Sequence, residues 1–207
     1  MADVVRTHDS AEAARLLVTG GRLRRLAHDM AVDLDAVKVP APHVPPLTLL
    51  LEAIDGDVDG IAAAAAAAVL PGHVDDAIWS GVDRAEYWRQ LLNGSGPCGA
   101  VLPAPSRLVR TTDGAIAAAV VVSRMAATEW WAGDPWIPEI FVVAPFQGRG
   151  LGGLLLGHAL RMCGGARYQR LGLTVSEGNP ARHLYERFGF RAFRRTWFID
   201  MGSASGG

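Results

Sequence analysis

The sequence predicts an α/β protein whose strands and helices share one core, and three stretches carry that expectation. The run Ile137 to Val143 feeds a glycine-dense turn, Gln147-Gly148-Arg149-Gly150-Leu151-Gly152-Gly153. The turn opens a segment with Leu151, Leu154, Leu155, His158 and Met162 at helical three-and-four spacing. Two β-rich runs, Arg107 to Thr111 and Ala115 to Arg124, flank Thr112-Asp113-Gly114, where Asp-Gly is a hairpin turn signal. A further strand and helix, Leu171 to Val175 and Pro180 to Phe188, end at Gly189. At 207 residues, half of them hydrophobic, the chain can bury a real core.

Composition narrows the function classes. A net charge of −1 and a pI near 6.6 give no bulk reason to expect nucleic acid or an anionic membrane as partner. Cys98 and Cys163 form no CxxC and join no His/Cys cluster, so neither a disulfide framework nor a metal site is expected, and a reducing cytoplasm fits. The longest apolar run, Ile61 to Leu70, is about half of the roughly 20 residues that a membrane span needs. The first residues lack the basic start and apolar core of a secretory signal, so a cytoplasmic location is expected.

In chain order, Ala14 and Leu17, then Leu23, Leu26, Met30 and Leu34, recur at three and four around Gly20-Gly21, which predicts two short helices within residues 10–38. Arg22-Leu23-Arg24-Arg25 then reads as a solvated helix face, with a phosphate contact as the alternative. Prolines 40, 42, 45 and 46 read as a linker, making residues 1–45 a helical extension and placing a boundary near Pro45. Leu47 to Leu51 reads as a short strand, and the Asp/Gly turn after it can cap a helix through the alanine run Ile61 to Val69. Pro71-Gly72 breaks that helix, and Asp83 starts another through Leu92. The loop between them holds His73, Asp75, Asp76 and Trp79, which either shape a pocket for a cationic substrate or form an ordinary polar loop. Trp130, Trp131 and Trp136 make an aromatic loop. Phe190 to Phe193 and Thr196 to Met201 read as two last strands, and 202–207 as a flexible tail.

The glycine turn has the layout of an anion cradle. Glycines let backbone approach a ligand, and a helix starting near Gly150 aims free N–H groups at it. No Gly-Lys-Ser/Thr is present to make a P-loop.

The order of elements over residues 46–201 resembles the GNAT superfamily of N-acetyltransferases, and two motifs carry the likeness. Gln147-Gly148-Arg149-Gly150-Leu151-Gly152 is similar to the family's Arg/Gln-x-x-Gly-x-Gly/Ala loop for the pyrophosphate of coenzyme A. Asn179-Pro180-Ala181-Arg182-His183-Leu184-Tyr185, followed by Gly189-Phe190, is similar to its Asn-x-x-Ala-x-x-x-Tyr-x-x-x-Gly-Phe. The resemblance implies a mixed, mostly antiparallel central sheet flanked by helices, with the fourth and fifth strands splayed apart. It implies acetyl-CoA as cosubstrate, with Gln147, Gly148, Arg149, Gly150, Leu151, Gly152 and Gly153 at the pyrophosphate, and Ile140, Phe141, Val142 and Asn179 along the pantetheine arm. A backbone N–H near Val142 would stabilise the oxyanion of acyl transfer.

An acceptor amine must lose a proton before attack, and Glu139 is the only acid on the strand where many family members carry one. A structural carboxylate is the other reading, and the adjacent Pro138 removes a ladder donor. Tyr185 stands where the family motif has the acid for the leaving thiolate, with packing as the alternative, and Asn179 before Pro180 is equally a helix cap. The resemblance thus implies direct acetyl transfer to an amine, a small molecule in preference to a protein, in a ternary complex. A non-catalytic acyl-CoA-binding module is the alternative. The sequence leaves the oligomeric state open, with a homodimer among the options.

Overall fold

The computed structural model describes residues 4–41, 49–54, 56–79 and 81–202. The expected boundary near Pro45, prolines 42, 45 and 46, and residues 203–207 of the expected tail lie outside them. In order the elements are β1 (Val4–Thr7), α1 (Ser10–Val18), β2 (Arg22–Asp33), β3 (Leu49–Ala53), α2 (Val58–Ala68), α3 (Arg84–Leu92), β4 (Arg107–Thr111), β5 (Ile116–Arg124), β6 (Pro135–Val142), α4 (Leu151–Gly165), β7 (Arg170–Ser176), α5 (Ala181–Arg187) and β8 (Arg191–Asp200). The strands form one sheet in the order β1-β8-β2-β7-β6-β5-β4-β3, and every neighbouring pair is antiparallel except β6 and β7.

Local chemistry starts the helices where the sequence predicts. Asp57 caps α2 by accepting from the Gly60 N–H at 3.0 Å, and Asp83 caps α3 by accepting from the Glu86 N–H at 3.0 Å. One face of the sheet packs Met30, Val120, Leu173 and Phe190 against α4 and α5. The other packs Val121 and Phe141 against Ile61 of α2 and Trp88 and Leu91 of α3. Fully burying one such side chain stabilises the fold by about 1.5–3 kcal/mol. No described helix is long and apolar enough to cross a membrane.

Two expectations are corrected. Residues 22–33, expected as the second helix of an extension, form β2, which lies between β7 and β8 inside the sheet. Their apolar spacing imitates a helix because β2 is covered on both faces and its register with β8 slips twice, between Leu23 and Arg25 and between Asp29 and Met30. Residues 191–200 are one strand instead of two, since Arg194 in the middle has a buried carboxylate partner, Asp29.

Candidate active site

The sheet opens in its middle. β6 and β7 pair only at Trp136 with Gly172 and at Ile137 with Leu173, and the ladder stops at Pro138, which has no N–H to give it. The β5 register also slips opposite this stretch, between Val121 and Ser123. Further along, the Val143 N–H donates to the Ala117 carbonyl of β5 at 2.9 Å. Strand alternation therefore turns the N–H groups of Ile140 and Val142 toward the gap and that of Phe141 toward β5. Of the three strand residues expected along the arm, Phe141 does not face the gap, and its ring packs edge-on against Trp88 at 5.9 Å.

The glycine turn divides its labour. Gly148 and Gly150 have φ of 73° and 81°, a left-handed backbone that favours glycine, and Gly150 caps α4 with no side-chain bond. The first N–H groups of α4 thus stay available to an anion. Gly152 and Gly153 serve the contact with α5, because a Cβ on Gly152 would lie 3.1 Å from Leu184 and one on Gly153 3.6 Å from Phe188. Leu151 is buried in the core, so only its backbone can reach a ligand. Gln147 donates its side-chain amide to the Val142 carbonyl at 3.0 Å, and Arg149 stands exposed over the Phe146 ring, 5.6 Å from its centre.

Glu139 projects to the face that carries α2 and α3. The Tyr87 hydroxyl donates to its Oε1 at 2.6 Å. Burial pushes the Glu139 carboxyl up to about 7. The Tyr87 hydrogen bond works against that rise, Asp75 adds to it, and Arg25 and Arg84 oppose it. Tyr87 is itself held well above the ordinary phenol range by burial and by the Glu139 charge, so it remains a donor. Its ring meets Trp79 edge-on at 5.1 Å, and the Arg84 guanidinium lies 5.1 Å from the centre of the Trp79 ring.

Asp75 ties the loop before α3 to β7. It accepts from the Ser176 hydroxyl and from Asn179 Nδ2 at 2.7 Å, and Ser176 accepts from Arg25 Nε at 2.7 Å. The Asn179 carbonyl accepts from the Ala181 N–H at 2.8 Å, so its amide is engaged at both ends, as a cap and by Asp75. Tyr185 is 7% exposed beside Phe190, and burial, then Asp75, then Glu139 raise its pKa.

The Cys98 thiol feels the Glu139 carboxylate. Burial first and that charge second push the thiol up, which disfavours the nucleophilic thiolate. Trp131 and Trp136 of the aromatic loop pack edge-on at 4.9 Å and are buried, whereas Trp79 meets Tyr87. His158 pairs with the Ala104 carbonyl at 3.0 Å, in keeping with a structural role.

Sequence reasoning missed Tyr87, Arg25 and Ser176. The available signal for Tyr87 was a phenol next to Trp88 on a capped helix, an apolar body with a polar tip needing a partner.

The family model described as "Acetyltransferase (GNAT) family" matches residues 75–190, more than half of the chain, and the chain belongs to that family. Acyl transfer from acetyl-CoA is the family's general chemistry. The fold is similar to a GCN5-related N-acetyltransferase from Sphaerobacter thermophilus, with 20% identity, TM-score 0.62, and 97% of this chain and 59% of that one covered. A putative GNAT acetyltransferase from Novosphingobium aromaticivorans has 20% identity and TM-score 0.54, with coverage of 98% and 76%. A tandem GNAT protein from the clavulanic acid biosynthesis pathway has 18% identity and TM-score 0.59, with coverage of 95% and 60%. This chain therefore spans about three fifths of two of these relatives. Among curated proteins, none matches the sequence.

Proposed function

We propose that this protein transfers an acetyl group from acetyl-CoA to the amine of a small molecule, directly and within a ternary complex. The observation that carries the reading is Glu139, bonded to Tyr87, with its pKa near 7, on the strand that borders the sheet gap. The residues fit the cosubstrate. The uncapped start of α4 after Gly148 and Gly150 would hold a pyrophosphate, with Arg149 beside it, and the N–H groups of Ile140 and Val142 would pair with the pantetheine arm. When bound, acetyl-CoA supplies an activated thioester.

The protein's task is then proton management. A lysine-like amine with a pKa near 10.4 costs about 4 to 5 kcal/mol to neutralise at pH 7. A carboxyl raised to about 7 accepts a proton more readily than an ordinary glutamate, so Glu139 acts as the base. Tyr185 stays protonated, and its raised pKa makes it a hydrogen-bond donor to a departing thiolate in preference to a full proton donor. The raised thiol of Cys98 speaks for direct transfer over an acyl-cysteine route.

The test follows free thiol on mixing protein, acetyl-CoA and a panel of amines. Amine-dependent release that falls in Glu139→Gln is the expected result. Tight acetyl-CoA binding with no release across a broad panel would instead favour a binding module. A Gly150→Asp variant places a carboxylate and a strained φ at the start of α4 and is expected to lose cosubstrate binding; unaltered binding would remove the cradle from this turn.

A further inference from the structure

A row of three side chains crosses the sheet on the face that carries Glu139. Arg6 of β1 stands opposite Phe198 of β8, and Phe198 stands opposite Arg25 of β2. Both guanidiniums lie over the same ring, Arg25 at 5.2 Å and Arg6 at 5.7 Å from its centre. Ring contact favours each cation, but it uses no hydrogen-bond donor.

The donor account is the unusual part. A guanidinium carries five N–H donors. Among the described residues, Arg25 uses only Nε, on the neutral Ser176 hydroxyl, and Arg6 makes no hydrogen bond or ion pair. Arg194, further along the same face, by contrast donates through Nε to a carboxylate, Asp29, at 2.7 Å, with Nη2 in ion-pair contact with it. Arg25 is half-buried, and Arg6 beside it is a like charge that works against it. Two cations converging on one ring, with their forks open, are what an anionic group would complete.

The row also stands in the right place. Arg25 is tied through Ser176 to Asp75, and it feels the charges of both Asp75 and Glu139. β7 and the gap beside it lie between β2 and β6, so the two backbones are more than about 10 Å apart at Glu139, a distance that long side chains from both strands narrow.

We propose that Arg25, assisted by Arg6, binds an anionic group of the acceptor, so that the substrate is an amine that also carries a carboxylate or a phosphate. The amine then faces Glu139 and Asp75 while the anion faces the two guanidiniums. This assignment rests on the acetyl-transfer reading for the role of the amine, but not for the binding of the anion.

The test compares amines in pairs that differ by the anion: L-phenylalanine with 2-phenylethylamine, L-ornithine with putrescine, and glucosamine 6-phosphate with glucosamine. Thiol release from acetyl-CoA gives kcat and KM for each, and the pair that responds separates a carboxylate from a phosphate. The anionic member of at least one pair is expected to be preferred. Arg25→Gln should erase about tenfold or more of that preference, through KM. Arg25→Lys keeps the charge and should restore part of it, and Arg6→Gln should cost less. No preference in the wild type, or an equal loss for both members of each pair in Arg25→Gln, overturns the proposal while leaving acetyl transfer standing. Thiol release with no amine at all would count against acetyl transfer alone. Calorimetric titration of the same compounds with coenzyme A present then decides: binding that needs the anion and weakens in Arg25→Gln supports the site, and its absence overturns it.

Discussion

Asp29 and Glu139 are carboxylates on the same face of one sheet, and their surroundings differ in kind. Asp29 is fully buried and surrounded by donors: Thr174 at 2.7 Å, Arg194 through Nε at 2.7 Å, and Thr196 at 3.3 Å. The Arg194 guanidinium is in turn covered by Trp130, 3.3 Å from the ring centre. Among the described residues Glu139 has one neutral donor, Tyr87, and the cations nearest to it act from a distance. A carboxylate satisfied on every side holds strands together, whereas one left with a single hydroxyl near a gap keeps a proton affinity that chemistry can use.

The largest expected effect would break the first half of that contrast. Asp29→Ala leaves Arg194 buried without its partner and should cost about 3–5 kcal/mol of stability, read as a fall in the denaturant midpoint. If acetyl transfer per folded molecule collapsed equally, Asp29 would belong to the chemistry as well. Next comes Glu139→Gln, which should lower kcat/KM by about 10²-fold or more at neutral pH. The same variant should be more stable than the wild type at pH 8. Glu139 is raised in the folded protein, so its contribution favours folding below its unfolded pKa near 4.5 and is lost as pH rises through about 7. The gain should therefore shrink toward pH 4.5, which thermal melts at several pH values would reveal.

A smaller effect sharpens the second half. The rate should rise with pH and level off above about 7 as Glu139 ionises. Tyr87→Phe removes the bond that lowers the Glu139 pKa, so this limb should move to higher pH; an unmoved limb would assign it to another group. The mildest change is Gly152→Ala. Its Cβ meets the flexible end of Leu184 at 3.1 Å and Val142 at an ordinary 3.9 Å, so stability should fall by about 1 kcal/mol or less, with acetyl-CoA affinity nearly kept.

The two carboxylates also mark how far the chain could be read residue by residue. Glu139, the glycine turn and the Asp113-Gly114 hairpin are local features, with spacing and turn chemistry within a dozen residues, and the β4–β5 pair and the α4 start were visible from them. β2 was not, because the partners that let His28 and Asp29 be buried in a strand are Glu177, Thr174 and Arg194, about 145 or more positions away. Without those partners, Leu23, Leu26, Met30 and Leu34 look helical. For the same reason Arg25 read as a solvated cation, and Tyr87 carried no mark of its bond to Glu139 across 52 residues. Gly152 and Gly153 were legible as glycines, but nothing nearby told that α5 is what needs them small.

Pro138 does more than end a ladder. A strand edge with free N–H groups is normally a hazard, since it invites another chain to pair with it. In this fold such an edge runs along Ile140 and Val142 in the interior of an eight-stranded sheet, with β7 standing off to one side. That leaves a row of backbone donors with which an extended molecule can pair. The cost of holding the strands apart is met during folding, before any ligand arrives. An extended arm that enters therefore gains the affinity of strand addition without having to open the sheet.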